Sequence, residues 1–212
     1  HGLGIENARY DDKCYVYATL DATPGCEQLP AIGLIAHMDT TPDMTGKDVK
    51  PQVLHYDGGD LELGAGRTLS VKSFPHLPSL KGRTLITASG DTLLGADDKA
   101  GIAEIMTLVE ELQKGDIPHG RIAVCFTPDE EVGCGTAHFD IPKLGADFAY
   151  TLDGGPEGEV VFENFNACAA VAHITGVNVH PGSAKNVMVN AAQVATEFNL
   201  SLPNFDTPRC TE

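Results

Sequence analysis

Five short segments of the chain place carboxylate or imidazole side chains where a pair of metal ions would need them. They are His37-Met38-Asp39, Gly95-Ala96-Asp97-Asp98-Lys99, Pro128-Asp129-Glu130-Glu131-Val132-Gly133, Asp153-Gly154-Gly155 and Val179-His180-Pro181-Gly182. The first four each follow a short apolar run or open a helix, and strands of an α/β sheet deliver catalytic groups at such positions. Carboxylates buried in these numbers repel one another unless cations lie between them. The pattern therefore predicts a hydrolytic site built around two metal ions.

The triplet at residues 37–39 joins an imidazole to a carboxylate. Residues two apart on a strand face the same side, so His37 and Asp39 can be neighbours. A metal-bound histidine usually donates its other ring N–H to an acceptor, and Asp39 could be that acceptor. Taken alone, such a triplet more often marks a structural histidine.

The acidic segments also have ordinary structural interpretations. Asp97 and Asp98 could cap a helix, although capping requires only one of them. Glu130 and Glu131 would then be solvated surface at a loop, and Asp153 part of a turn. The functional alternative has one glutamate bind a metal while the other takes a proton from an activated water. Because the four segments are predicted at strand ends of one sheet, turn chemistry explains them poorly as a set and the metal site is favoured.

Composition and charge exclude several classes of function. The chain has 212 residues, of which 42% are hydrophobic and 21% charged, as in ordinary soluble globular proteins. No apolar run is long enough to span a bilayer. A formal charge of −16 argues against nucleic acid as a partner, because phosphate binding needs clustered Lys and Arg. Six cysteines without CxxC spacing argue against a disulfide scaffold and predict a reducing, cytoplasmic location.

Hydrophobic patterning assigns the segments to strands and helices. Short apolar runs predict strands near residues 13–20, 31–36, 84–87, 121–127 and 148–152. Residues 99–113 have one apolar stripe and Gly115 beyond their end, which predicts the clearest helix. The order of elements predicts an α/β fold with a mainly parallel sheet over residues 1–158. A second, α+β unit is predicted over residues 159–212, with a helix from about residue 186 to 200.

Six longer blocks of sequence carry a family resemblance. They read HMDTTPD, LLGADDKAGIAEIM, FTPDEEVG, YTLDGG, FENFNA and VHPGSAKNVMVNA, and they are spread over nearly the whole chain. The chain resembles the tripeptide aminopeptidase branch of the M20 metallopeptidase family. That resemblance implies a zinc-peptidase catalytic domain with an inserted α+β lid domain, both incomplete in this chain. It also implies removal of the N-terminal residue from tripeptides by metal-activated water.

The same resemblance implies a ligand set for two zinc ions. His37 and Asp153 would complete the protein shell of one ion, Glu131 would serve the other, and Asp97 would bridge them. In this family the peptide bond after the bridging aspartate is cis. We therefore expect a cis bond between Asp97 and Asp98.

Three further residues receive catalytic roles from the resemblance. Glu130 would be the general base, and Asp39 would support His37 from behind. His180, on the lid, would help hold the developing oxyanion. Taken from the residues alone, His180 could equally be a histidine at a strand end beside a Pro-Gly turn.

The sequence also departs from the family pattern. M20 enzymes take a fifth ligand, a histidine, from far downstream, and this sequence stops at Glu212 before reaching one. We therefore expect an incomplete shell around the ion that Glu131 serves, and an inactive chain when it is taken alone.

Two other functions stay open. An M20 aminoacylase or desuccinylase would use the same metals on N-acyl substrates. A non-catalytic fragment or acidic metal-binding module would turn over no substrate. The expected partners are short peptides, with no nucleic acid and no membrane, and the sequence leaves a homodimer open.

Overall fold

Short strands dominate the computed structural model, which describes residues 2–163, 166, 168–203, 205–207 and 210. The strands are β1 (Arg9–Tyr10), β2 (Val16–Leu20), β3 (Ile32–His37), β4 (Gln52–His55), β5 (Leu61–Gly64), β6 (Arg67–Leu69), β7 (Thr84–Thr87), β8 (Ile122–Thr127) and β9 (Phe148–Thr151). The α-helices are α1 (Ala96–Gln113), α2 (Ile141–Leu144) and α3 (Ala191–Ser201). Contacts between Cα atoms divide the chain into two compact units, His1–Glu157 and Gly158–Glu212.

The main sheet of the first unit has the strand order β1-β2-β8-β3-β9. Strand β3 runs parallel to both β8 and β9, whereas β2 pairs with β8 in the antiparallel sense. Strands β3 and β8 are continuous apolar runs with little exposed surface, as expected of parallel strands covered on both faces. The predicted α/β fold with a parallel sheet is confirmed. Its three parallel strands bring their carboxyl ends to one edge.

Helix α1 covers one face of this sheet. Its buried residues Ile105, Val109 and Leu112 form one apolar cluster with Leu34 and Ala36 of β3. This is the stripe that the sequence predicts. The backbone at residues 97 and 98 is not helical, so the regular helix begins at residue 99, also as predicted. Gly115 has a φ of +84° just past the helix, where glycine avoids the steric cost of the left-handed conformation.

The opposite face of the sheet is packed by a second cluster. It contains the buried residues Tyr15, Tyr17, Ala123, Cys125 and Leu144. Burial raises the pKa of the Cys125 thiol to about 12, so this cysteine is a small core residue and not a nucleophile. None of the six cysteines forms a disulfide in the part of the chain that the structure describes.

One strand lies outside the sheet that the sequence assigns to it. Strand β7 pairs with β4 in a separate two-stranded ladder, and β5 and β6 form a hairpin within the Pro- and Gly-rich stretch. In β7, Leu85 is half-buried and Ile86 is exposed, as expected of an antiparallel pair with one face in solvent. The prediction that all four acidic or imidazole segments end strands of one sheet is therefore wrong for Asp97 and Asp98. These two residues are placed by the start of α1.

The second unit has less regular structure than the sequence predicts. Helix α3 begins at Ala191 and not near residue 186, because Asn186 has a left-handed φ of +60° and Asn190 caps the helix. The side chain of Asn190 accepts hydrogen bonds from the N–H groups of Ala192 and Gln193. The apolar runs 160–162 and 167–174 are part of the predicted α+β unit, but residues 160–162 and 168–174 form no strand. Ala167 lies outside the described residues. None of the described helices is both long and apolar enough to cross a membrane.

Candidate metal centre

Four of the predicted site segments meet at the carboxyl edge of the parallel strands. His37 is the last residue of β3, Glu130 follows β8, and Asp153 follows β9. Since these strands are parallel neighbours, their ends converge on one place. Asp97 reaches the same place from the first turn of α1. One potential ligand atom each from His37, Asp97 and Asp153 lies within 4.8 Å of the other two.

The ring of His37 lies at the centre of this group and is 2% exposed. Its Nδ1 lies 3.1 Å from the main-chain oxygen of Asp39, to which it can donate. Its Nε2 lies 2.8 Å from Asp97 Oδ1, 3.8 Å from Glu130 Oε2 and 3.9 Å from Asp153 Oδ2. A proton held at Nδ1 leaves Nε2 as the ring atom that faces the carboxylates, which is how metal-bound histidines are oriented.

The carboxylates around His37 change its pKa. Burial lowers the pKa of the ring. The hydrogen bond to Asp97 and the charges of Asp153 and Asp39 raise it by more, so the net shift is upward. The surrounding acids therefore favour a second proton on the ring. A metal ion at Nε2 would take the place of that proton.

Asp39 connects the histidine to the glutamate loop. Its Oδ1 accepts from the N–H of Glu130 and its Oδ2 from the N–H of Glu131, each at 3.1 Å. Burial raises the pKa of Asp39, but these two N–H groups lower it by more, so the residue is anionic well below neutral pH. The sequence predicts Asp39 as a partner of His37. In the structure both the Asp39 carbonyl oxygen, at 3.1 Å, and Asp39 Oδ1, at 3.3 Å, face His37 Nδ1, and the carboxylate holds the loop as well.

Asp98 has a separate, structural task. It is 3% exposed, and its two carboxylate oxygens accept from the N–H groups of His37, at 3.0 Å, and Gly101, at 3.1 Å. Burial raises its pKa despite these bonds. The residue ties the end of β3 to the first turn of α1, so it is the capping acid that the sequence allowed. The peptide bond between Asp97 and Asp98 is cis, as the family resemblance implied.

Glu130 has the environment of a proton acceptor. Burial raises the pKa of its carboxyl, the nearby His37 lowers it, and the charges of Asp153 and Glu131 raise it again. The net pKa is above the ordinary value, which brings the carboxyl closer to neutral pH. Its side chain is 49% exposed and so is open to a water or a substrate.

Glu131 lies outside the group of three. It shares the wall of an open cavity of about 310 Å³ with Asp97. The rest of that wall is formed by Thr40, Thr41, Leu93, Leu94, Gly95 and Ala96. The structure therefore brings three of the four predicted ligands together and places the fourth next to Asp97. The division of these residues between two ion sites stays a prediction.

His180 belongs to the second unit, where it precedes the 3₁₀ turn Pro181–Ser183. Its Nδ1 accepts a hydrogen bond from the N–H of Gly182 at 3.1 Å. With Nδ1 used as an acceptor, the neutral ring carries its proton at Nε2 and can donate from there. Its role at the oxyanion remains a prediction.

The sequence interpretation missed two residues next to the centre. A Cβ atom at Gly101 would lie 1.9 Å from the carbonyl oxygen of Leu152, so only glycine lets α1 approach the end of β9 this closely. A glycine inside a strong helical pattern was the available signal. Lys99 donates from Nζ to the carbonyl oxygen of Met38 at 3.1 Å and so joins α1 to the residue after β3.

The donor atoms suit a divalent cation. One imidazole nitrogen and carboxylate oxygens from separate elements are ligands that zinc accepts. Acids that raise one another's pKa are relieved when a cation lies between them. Asp39 contacts Nδ1 on the far side of the His37 ring and so holds the ring with Nε2 toward the carboxylates.

The chain is similar to several known peptidases. A peptidase T from Shouchella clausii is 55% identical over 211 residues, which are 99% of this chain and 52% of that protein. The aminopeptidase PepT of Bacillus cereus has a similar structure, with a TM-score of 0.65 and 26% identity over 95% of this chain and 48% of that one. A tripeptidase of Staphylococcus aureus shares the fold at a TM-score of 0.62 and 23% identity, over 95% of this chain and 48% of that one.

The chain spans about half the length of the curated relatives it matches. Its resemblance to the tripeptide aminopeptidase branch is confirmed by the peptidase T relatives. The family model that matches this chain is not named M20, the family that the motifs resemble. It is described as M42 glutamyl aminopeptidase and matches residues 80–196, just over half of the sequence. The chain therefore belongs to the peptidase family that the M42 glutamyl aminopeptidase model describes.

Proposed function

We propose that this chain carries most of the active site of a zinc-dependent aminopeptidase that removes the N-terminal residue from tripeptides. One observation carries the proposal: His37, Asp97 and Asp153 converge within 4.8 Å beside the proton-accepting Glu130. Similarity to peptidase T over 99% of the chain supports the tripeptide substrate. The M20 grouping suggested by the motifs, a cytoplasmic location and a homodimer belong to the same proposal.

The ligands are proposed for two zinc ions. His37, Asp153 and Asp97 would hold one ion, and Glu131 and Asp97 would hold the other. When bound, such ions polarise the scissile carbonyl and make a nearby water more acidic. The position of Glu131 beside Asp97 in a common cavity supports the second site.

The chain's own residues then account for the proton transfers. Glu130 takes a proton from the attacking water as the water oxygen bonds to the carbonyl carbon. The same carboxyl delivers that proton to the leaving amine as the carbon–nitrogen bond breaks. Asp39 holds the main chain of Glu130 and Glu131 during both steps. His180 donates from Nε2 to the oxyanion.

Zinc affinity is expected to depend on pH through His37. Because the metal-free pKa of this ring is raised, a proton competes with zinc at Nε2 over a wider range than for an ordinary histidine. Below the raised pKa, the affinity should fall by about tenfold for each pH unit. Competition with a chromophoric chelator between about pH 8 and pH 5 measures it. As a control, His55→Gln, at an exposed histidine, should leave the pH dependence of zinc affinity unchanged. A zinc affinity that does not vary with pH would contradict His37 as a ligand.

Substrate choice tests the proposed activity. The full-length protein loaded with zinc should hydrolyse tripeptides with a free N-terminus at least about 100-fold more efficiently than N-acyl amino acids, comparing kcat/KM. The reverse preference would favour an aminoacylase or desuccinylase. Dipeptides separate a tripeptidase from a broader aminopeptidase. Bound zinc without turnover of any of these substrates would support a non-catalytic metal-binding module.

A further inference from the structure

Tyr15 is a buried aromatic residue on the face of the sheet opposite α1. It is 2% exposed, and its ring stacks on Tyr17 at a centroid distance of 6.4 Å. The edge of Phe139 meets the same ring at 6.3 Å. Packing on both sides fixes the direction in which the Tyr15 hydroxyl points.

The hydroxyl of Tyr15 uses both of its hydrogen-bonding functions on one loop. It donates to the carbonyl oxygen of Gly135 at 2.9 Å and accepts from the N–H of His138 at 3.3 Å. Both partners belong to the segment between β8 and α2, which also carries Glu130 and Glu131. More than a hundred residues of sequence separate the tyrosine from that segment.

Gly135 in turn lies directly against Glu130. A Cβ atom added at Gly135 would be 3.1 Å from the Cα and 3.3 Å from the Cβ of Glu130. The turn between them is closed by the N–H of Gly133, which donates to the Glu130 carbonyl at 2.8 Å, and by the N–H of Cys134, which donates to the Asp129 carbonyl at 2.9 Å. The Tyr15 hydroxyl is therefore two contacts away from the backbone of Glu130.

We infer that Tyr15 is a positioning residue for Glu130, acting through Gly135, and this inference rests on the proposed function. Asp39 holds the loop by the N–H groups of Glu130 and Glu131, and Tyr15 holds the same loop from behind through Gly135. Two anchors from different elements fix the main chain at Glu130 and so the point from which its side chain extends. Proton transfer is sensitive to such placement, since a displacement of about 1 Å can cost 100-fold in rate.

Tyr17 provides a matched control. It is as buried as Tyr15 and lies in the same aromatic cluster. Its hydroxyl accepts a hydrogen bond from the N–H of Asp140 at 3.0 Å. Asp140 is the N-cap of α2 and follows the glutamate loop in the chain. Removing either hydroxyl takes the acceptor from one part-buried N–H, and Tyr15→Phe also takes the donor from the Gly135 carbonyl, so the effects on folding should be of comparable size.

The test compares Tyr15→Phe, Tyr17→Phe and Gly135→Ala in the full-length zinc-loaded protein on one tripeptide. Tyr15→Phe should lower kcat by about 10- to 100-fold, with KM and bound zinc within twofold of the parent. Tyr17→Phe should keep kcat within about twofold, although its melting temperature falls by a similar amount. Gly135→Ala, which presses a methyl group on Glu130, should lower kcat like Tyr15→Phe.

Equal kcat values for the two tyrosine variants would overturn the inference. If Tyr15→Phe does not fold, Gly135→Ala decides, and a parental kcat in that variant would overturn it as well. An inactive parent would overturn the proposed function and this inference with it. If the parent is active and the Tyr15 and Gly135 variants keep its kcat, only the positioning role is overturned.

Discussion

Glu130→Gln is expected to lower kcat on a tripeptide by about 100- to 10,000-fold while zinc content stays near that of the parent. The amide has the shape of the carboxyl but cannot accept a proton at neutral pH. Glu130 lies 3.8 Å from the His37 ring, and its raised pKa makes it the best-placed base among the described residues. It is not among the proposed ligands, so the ions should remain.

Two comparisons make this result specific. Glu131→Gln should lose activity together with zinc, because that residue is a proposed ligand. Glu110→Gln, on the exposed side of α1, should change neither quantity. Turnover rates and metal analysis by mass spectrometry give both measurements. Loss of zinc from the Glu130 variant would indicate that Glu130 is a ligand and not the base. An unaltered kcat would show that Glu130 does not transfer the proton.

Gly101→Ala is expected to destabilise the fold by more than about 3 kcal/mol or to prevent folding. The added Cβ would lie 1.9 Å from the Leu152 oxygen and 2.5 Å from Asp98 Oδ1. The first obstacle is backbone and cannot rotate away, so α1 would have to move off the sheet. That movement would break the Asp98 bonds and displace the residue before Asp153.

The free energy of unfolding, measured in urea, tests this prediction. Gly46→Ala is a matched change in a loop, where the new Cβ would meet only Thr40 Oγ1 at 3.5 Å, and it should be nearly neutral. If the two variants were equally stable, α1 would not be held as tightly against β9 as the contacts indicate. Zinc affinity of any folded Gly101 variant would show whether the metal centre moves with the helix.

Local patterns in the sequence predict the elements that bury one face. The stripe of Ile105, Val109 and Leu112 predicts α1, and the apolar run before His37 predicts a parallel strand. These features follow from periodicity within about a dozen residues. The convergence of His37 and Asp153 then follows from parallel strand order, and the roles of Glu130 and Glu131 came from the family resemblance.

Contacts between distant segments are less visible in the sequence. Strand β7 is predicted as a strand, but its choice of β4 as partner is a long-range one that its own residues do not encode. The contact between Tyr15 and Gly135 joins positions 120 residues apart. The bonds from Asp39 to two successive N–H groups also depend on how the loop after β8 turns back, which spacing does not reveal.

The hydrogen bonds between Asp39 and the glutamate loop also bear on how the stability of the protein would depend on zinc. The carboxylate of Asp39 holds the loop that carries Glu130 and Glu131 through two main-chain hydrogen bonds, so folding brings these acids together. Burial, together with the charges of Asp153 and Glu131, raises the pKa of Glu130, so keeping this carboxyl ionised costs the folded chain some stability. The proposed zinc ions would offset this cost and would bind the folded chain alone, so they would stabilise the fold by their binding free energy. Under that proposal, the stability of the protein rises with the concentration of free zinc.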